Sequence, residues 1–266
     1  MNISTDPDKA DFRRHHGRDR RRRRNLGLRV PGRRFADAQA PRSLPALFLA
    51  LAAILALLAA PAAAKVAPPM ESPFVDVPTD HPYFLAIYSL WQLDVIDGYP
   101  VGEGTAEFRP QNPVARQHFT KMIVRGMSVA VSEADVCTFP DVDVSGPSDL
   151  YPDNYIAAAY RDGVVRGMSP STFNPFGSIK RAQLISMVVR AIRTYSTAPL
   201  KEPDAGYHGY MRGFDDPTHG HNVQVAEHNG LLEGIPLEGW DPWRNASRGE
   251  VAQILYNSIH FQPPTK

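Results

Sequence analysis

A single cysteine, Cys137, stands in 266 residues, so no disulfide can form within the chain and the fold must hold through its core and the contacts between its parts. Cys137 itself reads as a small apolar residue rather than a nucleophile. Catalytic signatures are missing too. Beyond residue 64 there is no GxSxG elbow, no phosphate-binding loop and no HExxH helix, each of which would place chemistry by its spacing. Those absences point to binding without catalysis and to no cofactor. Long hydrophobic runs are equally scarce, since only Leu44 to Ala64 qualifies.

That run follows a basic leader. Residues 1–43 carry thirteen basic and five acidic side chains, including the stretch Arg20 to Arg24, with no apolar periodicity. A disordered basic leader ahead of a hydrophobic signal helix is expected over residues 1–64, because Ala62, Ala63 and Ala64 form the small-residue pattern of a cleavage site. The competing reading is an uncleaved anchor with its basic flank inside, since about 20 apolar residues span a bilayer. Pro61 and the Ala-rich end favour cleavage, and membrane contact arises only if the leader helix is retained. The adjoining apolar segment also argues against a nucleic-acid role for the arginine run. Residues 65–266 then hold 16 basic and 23 acidic side chains, a net charge of −7. A chain that is acidic overall holds an acidic ligand only through cations placed at discrete points.

An internal repeat organises the exported part. Arg116, Arg181 and Arg248 lie 65 and 67 residues apart, and Gly98, Gly167 and Gly234 keep step at 69 and 67. Each unit opens with Phe, any residue, Asp: Phe74 to Asp76, Phe139 to Asp141, Phe214 to Asp216. The expected first helix carries Phe84, Ile87, Tyr88 and Trp91 on one face. The second unit repeats it with Ile156, Ala159 and Tyr160, and the third with a shorter, more polar helix from Val223 to Asn229. The closing helices start at the arginines and place inward Phe119, Met122 and Ile123; then Leu184, Met187, Val188, Ala191 and Ile192; then Val251, Ile254, Leu255 and Ile259. Residues 65–72 read as a linker, 73–130, 136–195 and 208–262 as the three units, and 196–207 as a second linker. A two-helix unit cannot bury its apolar faces alone, so the units should pack on one another.

At the third helix start, Ser247 and Glu250 form a capping box worth ~1 kcal/mol, while Gln183 retains half of one in the second. Capping does not explain the arginine, which opposes the positive end of the helix dipole. Free amides, dipole and guanidinium together would make an anion site. The competing structural reading pairs each arginine with an acid of a neighbouring unit, such as Asp76, Asp141 or Asp216.

These strings resemble the S-layer homology family. The first copy reads FVDVPTDHPYFLAI and then GYPVGEGTAEFRPQNPVARQHFTKMI; the second carries FPDVDV, DNYIAAAY and DGVVRGMSPSTFNPFGSIKRAQLISMV; the third carries GFDDP, NGLLEGI and NASRGEVAQIL. The resemblance implies a mainly α fold. Its three helix-turn-helix repeats would form a pseudo-threefold, three-pronged assembly around a helical bundle. It also implies non-covalent attachment to a secondary cell-wall polysaccharide or peptidoglycan-linked glycan, through grooves that take the carboxylate of a pyruvylated sugar. The implied ligand-binding residues are Arg116, Arg181, Arg248, Asp76, Asp141, Asp216, Gly98, Gly167, Gly234 and Tyr99. Because Met168 and Ile235 stand where the family has a tyrosine, the site containing Arg116 ranks first. The alternative is a structural envelope component that contacts other S-layer subunits. A lesser alternative is glycan hydrolysis with Asp76 or Glu250 as acid and base.

Two further constellations fail on spacing. Asp141, Asp143, Ser145 and Gly146 imitate a calcium loop, but its twelfth position is Pro152 rather than a bidentate Glu. His208, His219, His221 and His228 match no structural zinc pattern, so no metal is expected.

Overall fold

The computed structural model describes residues 70–146 and 149–262. The expected leader, signal helix and most of the first linker fall outside those residues. Everything described belongs to the compact unit Ala67–Lys266. It is mainly helical, and among the described residues no helix is long and apolar enough to cross a membrane.

Among the described residues, six α-helices fall into three pairs: α1 Phe84–Gln92 and α2 Arg116–Gly126, α3 Asp153–Arg161 and α4 Arg181–Tyr195, α5 Gly220–His228 and α6 Arg248–Ile259. The apolar periodicity of the closing helices decides their buried faces. In α4, Leu184, Met187, Val188, Ala191 and Ile192 are at most 2% exposed, and each of these side chains except that of Ala191 contributes about 1.5–3 kcal/mol by leaving water. Phe119, Met122 and Ile123 of α2 are buried as expected, as are Val251, Ile254 and Leu255 of α6, with Ile259 packed at the edge.

The opening helices differ from expectation in detail. In α1 the buried set is Phe84, Ala86, Ile87 and Leu90, while Trp91 is 40% exposed. Leu90 follows Ile87 by three residues and takes the inward position, which turns Trp91 toward water. Tyr160 likewise projects outward and meets Phe139 edge-on at 5.0 Å. The helix of the third pair starts at Gly220 and has nine residues, as many as α1 and α3, so it is not shortened; its His-rich polar start hides the beginning. The longer turn of the first unit is a hairpin, β1 Tyr99–Gly102 against β2 Thr105–Glu107, closed at Gly104 with φ +69°.

Packing crosses between pairs. The closing helices α2, α4 and α6 touch one another, and each opening helix lies on the closing helix of a different pair: α3 on α2, α5 on α4 and α1 on α6. Neither half of a pair buries its face within the pair itself, which is why the three become one core.

Candidate functional site

The site is built from one segment used three times. An aromatic residue is followed two positions later by proline and eight positions later by the helix-opening arginine: Phe108, Pro110, Arg116; Phe173, Pro175, Arg181; Trp240, Pro242, Arg248. In the first two copies the opening aspartate braces this segment from within its own unit. Asp76 accepts the amides of Phe108 and Arg109 at 2.7 Å each, and Asp141 accepts those of Phe173 at 2.9 Å and Asn174 at 2.7 Å. These bonds hold Arg109 and Asn174 at φ +61° and +60° and, against burial, which raises it, keep the Asp141 pKa below the usual carboxylate range. Asp216 departs from the pattern and accepts the amides of Thr218 and His219 instead, at the start of α5.

The amides that open the closing helices are not free. Arg116 and Gln117 donate to the carbonyls of Gly177 and Pro175 at 3.0 and 3.1 Å; Arg181 and Ala182 to Arg244 and Pro242 at 3.1 and 2.9 Å; Arg248 and Gly249 to Asn112 and Pro110 at 2.9 and 2.8 Å. An anion site made of exposed helix-terminal amides is therefore excluded at these two positions of each helix, because the neighbouring copy's loop already satisfies them.

The guanidinium groups follow the same route. Arg116 donates through Nε to Phe173 O at 2.9 Å and through Nη2 to Arg166 O at 3.0 Å. Arg248 does so to Phe108 O at 2.8 Å and Asp97 O at 3.0 Å. Each lies over the ring of the residue whose carbonyl it binds, at 4.8 Å and 4.5 Å. Burial pushes both guanidinium pKa values down. Arg181 pairs with the Glu250 carboxylate and stacks on Trp240 at 4.9 Å. The expected pairing with an acid of a neighbouring unit thus holds for Arg181, through Glu250, whereas Asp76, Asp141 and Asp216 make no ion pair with the three arginines among the described residues.

Three grooves result, one at each arginine. The Arg116 groove, about 200 Å³, is lined by Arg166, Arg190, Gly167, Met168, Gln183 and His219. The Arg248 groove, about 160 Å³, includes Gly98, Tyr99, His118 and Lys121. The Arg181 groove is the largest at about 700 Å³ and presents Lys180, Arg244, Trp243, Tyr83 and Glu250. Tyr99 thus sits with Arg248, 5.0 Å from its guanidinium, rather than with Arg116. Sequence order had paired residues of the same copy, whereas the Arg116 and Arg248 grooves each join the arginine of one copy to the glycine turn of another. For the same reason Gly167 lines the Arg116 groove. Gly234 lies away from all three arginines, in a surface depression with Glu227 and Leu237.

Sequence reasoning passed over Arg166, Arg190, His118, Lys180 and Arg244. One signal was available: Arg166 immediately precedes the turn glycine, where the other copies have Asp97 and Glu233. The histidines do not converge. His219 meets Ser186 and Trp243, His221 meets Glu202, His208 meets Arg212 and His228 meets Tyr207. In the calcium-like loop, Ser145 donates to Asp153 and Asn154 at the start of α3.

A mainly helical array whose members interlock through the start of each closing helix defines a repeat-built module. Residues 73–120 and 140–185 match the S-layer homology domain, so these two stretches are S-layer homology repeats. It is 29% identical over 188 residues to an endoglucanase of Bacillus sp. (strain KSM-635), covering 69% of this chain and 18% of that protein. It is 25% identical over 192 residues to a cell surface protein of Thermoanaerobacter kivui, covering 71% and 21%. With an S-layer protein of Bacillus licheniformis it shares 28% over 191 residues, covering 68% and 19%. The chain spans about a fifth of the length of these curated relatives.

Proposed function

We propose that this is an exported protein whose residues 73–262 attach it, non-covalently and without catalysis, to an anionic secondary polymer of the bacterial cell wall. Three S-layer homology repeats at 73–130, 136–195 and 208–262 would be arranged about a pseudo-threefold axis. That arrangement is supported by the cyclic packing of α1 on α6, α3 on α2 and α5 on α4. The family's ligand, a glycan bearing a pyruvyl carboxylate, fits grooves where guanidinium groups lie beside aromatic rings, since a planar cation grips a carboxylate and a ring covers a sugar face.

The observation that carries this reading is the Arg181 groove. In a domain of net negative charge it gathers Lys180, Arg181 and Arg244 against Glu250 alone, with an exposed Trp243 and a half-buried Tyr83 on its wall. The relatives support it by their variety. Proteins named for a glucanase, a cell surface protein and an S-layer share this stretch over about a fifth of their length, so the shared part is what their differing activities have in common.

Purified protein should sediment with bacterial cell walls and cease to do so once the secondary polymer is removed. Arg244 is exposed and Lys180 borders the groove, so the pair K180A/R244A tests binding without disturbing the buried arginines. Retention on polymer-free walls would sink the proposal in favour of protein contacts in a surface lattice.

A further inference from the structure

The Arg116 and Arg248 grooves differ in charge, and the difference traces to one position. Before the turn glycine stand Asp97, Arg166 and Glu233; nine residues into the closing helices stand Arg125, Arg190 and Asn257. In the first copy the two residues are opposite in sign, and Arg125 lies 3.7 Å from the Asp97 carboxylate. In the second copy they are both arginine. Arg166 and Arg190 share the small groove with Arg116 and His219, and none of its lining residues is acidic.

None of these three arginines forms an ion pair among the described residues. Arg116 is spent on the carbonyls of Phe173 and Arg166, and Arg190 donates to Val164 O at 2.8 Å. The carboxylate that acts on Arg116, that of Asp141, is held by the amides of Phe173 and Asn174. The carboxylate that acts on His219, that of Asp216, is held by Thr218 and His219. Arg190 is half-buried, and the combination of burial with the charges of Arg166 and Arg116 pushes its pKa down to about 10. Like charges gathered in a groove between a buried Arg116, a half-buried Arg190 and an exposed Arg166 repel one another, and a bound anion of charge two relieves that repulsion more than a single carboxylate does.

We propose that the Arg116 groove is a phosphate-type site, selective for a dianionic group, with Arg166 as its specificity-determining residue. This rests on the reading that the grooves hold an anionic glycan, and it divides the labour among them. The Arg248 groove, with Asp97 at its rim, suits a singly charged or neutral sugar, and the Arg116 groove takes a phosphomonoester on the polymer or free inorganic phosphate.

The test titrates the purified chain with inorganic phosphate and with acetate at pH 8 and matched ionic strength, following heat release and melting temperature. Phosphate should bind at least tenfold more tightly than acetate. R166D, which installs the acid the first copy carries there, should lower phosphate affinity at least tenfold. Because it removes like-charge repulsion, R166D should also melt no lower than the parent in acetate, an outcome that a merely structural arginine would not produce. R166K should keep most of the binding. Equal affinities for the two anions, or phosphate affinity unchanged in R166D, would overturn the proposal. Competition with wall fragments before and after phosphatase treatment separates the sources: weaker competition after treatment assigns the site to a polymer phosphate, and unchanged competition assigns it to the free ion. Wall binding that persists while phosphate fails to bind defeats this inference alone; loss of wall binding by K180A/R244A bears only on the wider reading.

Discussion

Arg248 Nε donates to the carbonyl oxygen of Phe108 at 2.8 Å across 140 residues of sequence. With Arg116 on Phe173 and Arg181 on the Trp240 ring, this bond returns the third helix pair to the first. Arg248→Ala leaves the buried carbonyl of Phe108 and the partly buried carbonyl of Asp97 without that donor, and should cost about 2–4 kcal/mol, as expected when buried groups lose a charged donor. Arg248→Lys should recover part of the loss. Urea melts of the two variants check this, and a loss below 1 kcal/mol for the alanine variant would contradict it.

Arg181 and Glu250 should be strongly coupled. Their side chains are 12% and 7% exposed, so removing either strands the other's charge. R181A and E250A should each destabilise, and the double variant should lose clearly less than the sum of the two. Glu250 also accepts the Ser247 amide at 3.0 Å, so E250Q should retain the cap while losing the ion pair. A double-mutant cycle by denaturant titration measures the coupling.

The turn glycines are constrained for two different reasons. A methyl group at Gly98 would collide with the ring of the opening Phe74, and one at Gly167 with the Ser169 carbonyl as well as the Phe139 ring, whereas Gly234 holds φ +80°. Gly98→Ala and Gly167→Ala should therefore cost about 1–3 kcal/mol through overpacking. Gly234→Ala should cost about 1 kcal/mol through backbone strain. Replacing Phe74 by Leu should ease Gly98→Ala and leave Gly234→Ala unchanged, which distinguishes the mechanisms in thermal melts.

Acid should weaken the fold in two stages. Burial, followed by the charges of Arg248 and Lys121, lowers the His118 pKa, and burial lowers that of His219. The unfolded chain thus takes up protons first as pH falls past about 6.5, so stability falls with it from there downward. A second loss begins below about 4, where the depressed carboxyls of Asp141, Asp153 and Asp162 lag behind their unfolded values. His118→Gln, matching Gln183 of the second copy, should flatten the first stage in melting temperatures between pH 7.5 and 5.

The closing helices were the most legible part of the fold. Stripes such as Leu184, Met187, Val188, Ala191 and Ile192 repeat at helical spacing and were buried as read, and the capping box of Ser247 and Glu250 is closed by both of its bonds. The opening helices were harder, because Ile87 and Leu90 compete with Tyr88 and Trp91 for the inward face, and a pattern of large apolar residues does not say which of two adjacent stripes meets the core.

Local sequence determined what recurs: three arginines at the start of three helices, an aromatic eight residues before each, and an aspartate at each opening. These follow from spacing, and spacing is a property of one chain segment at a time. Tertiary structure alone decided what the repeats do to one another. Each arginine reaches into another copy, Tyr99 joins Arg248 instead of Arg116, and the helix-terminal amides are satisfied by a loop some sixty or more residues distant. A buried guanidinium must find carbonyls wherever the packed copies supply them. The register that supplies them exists only after all three pairs have come together.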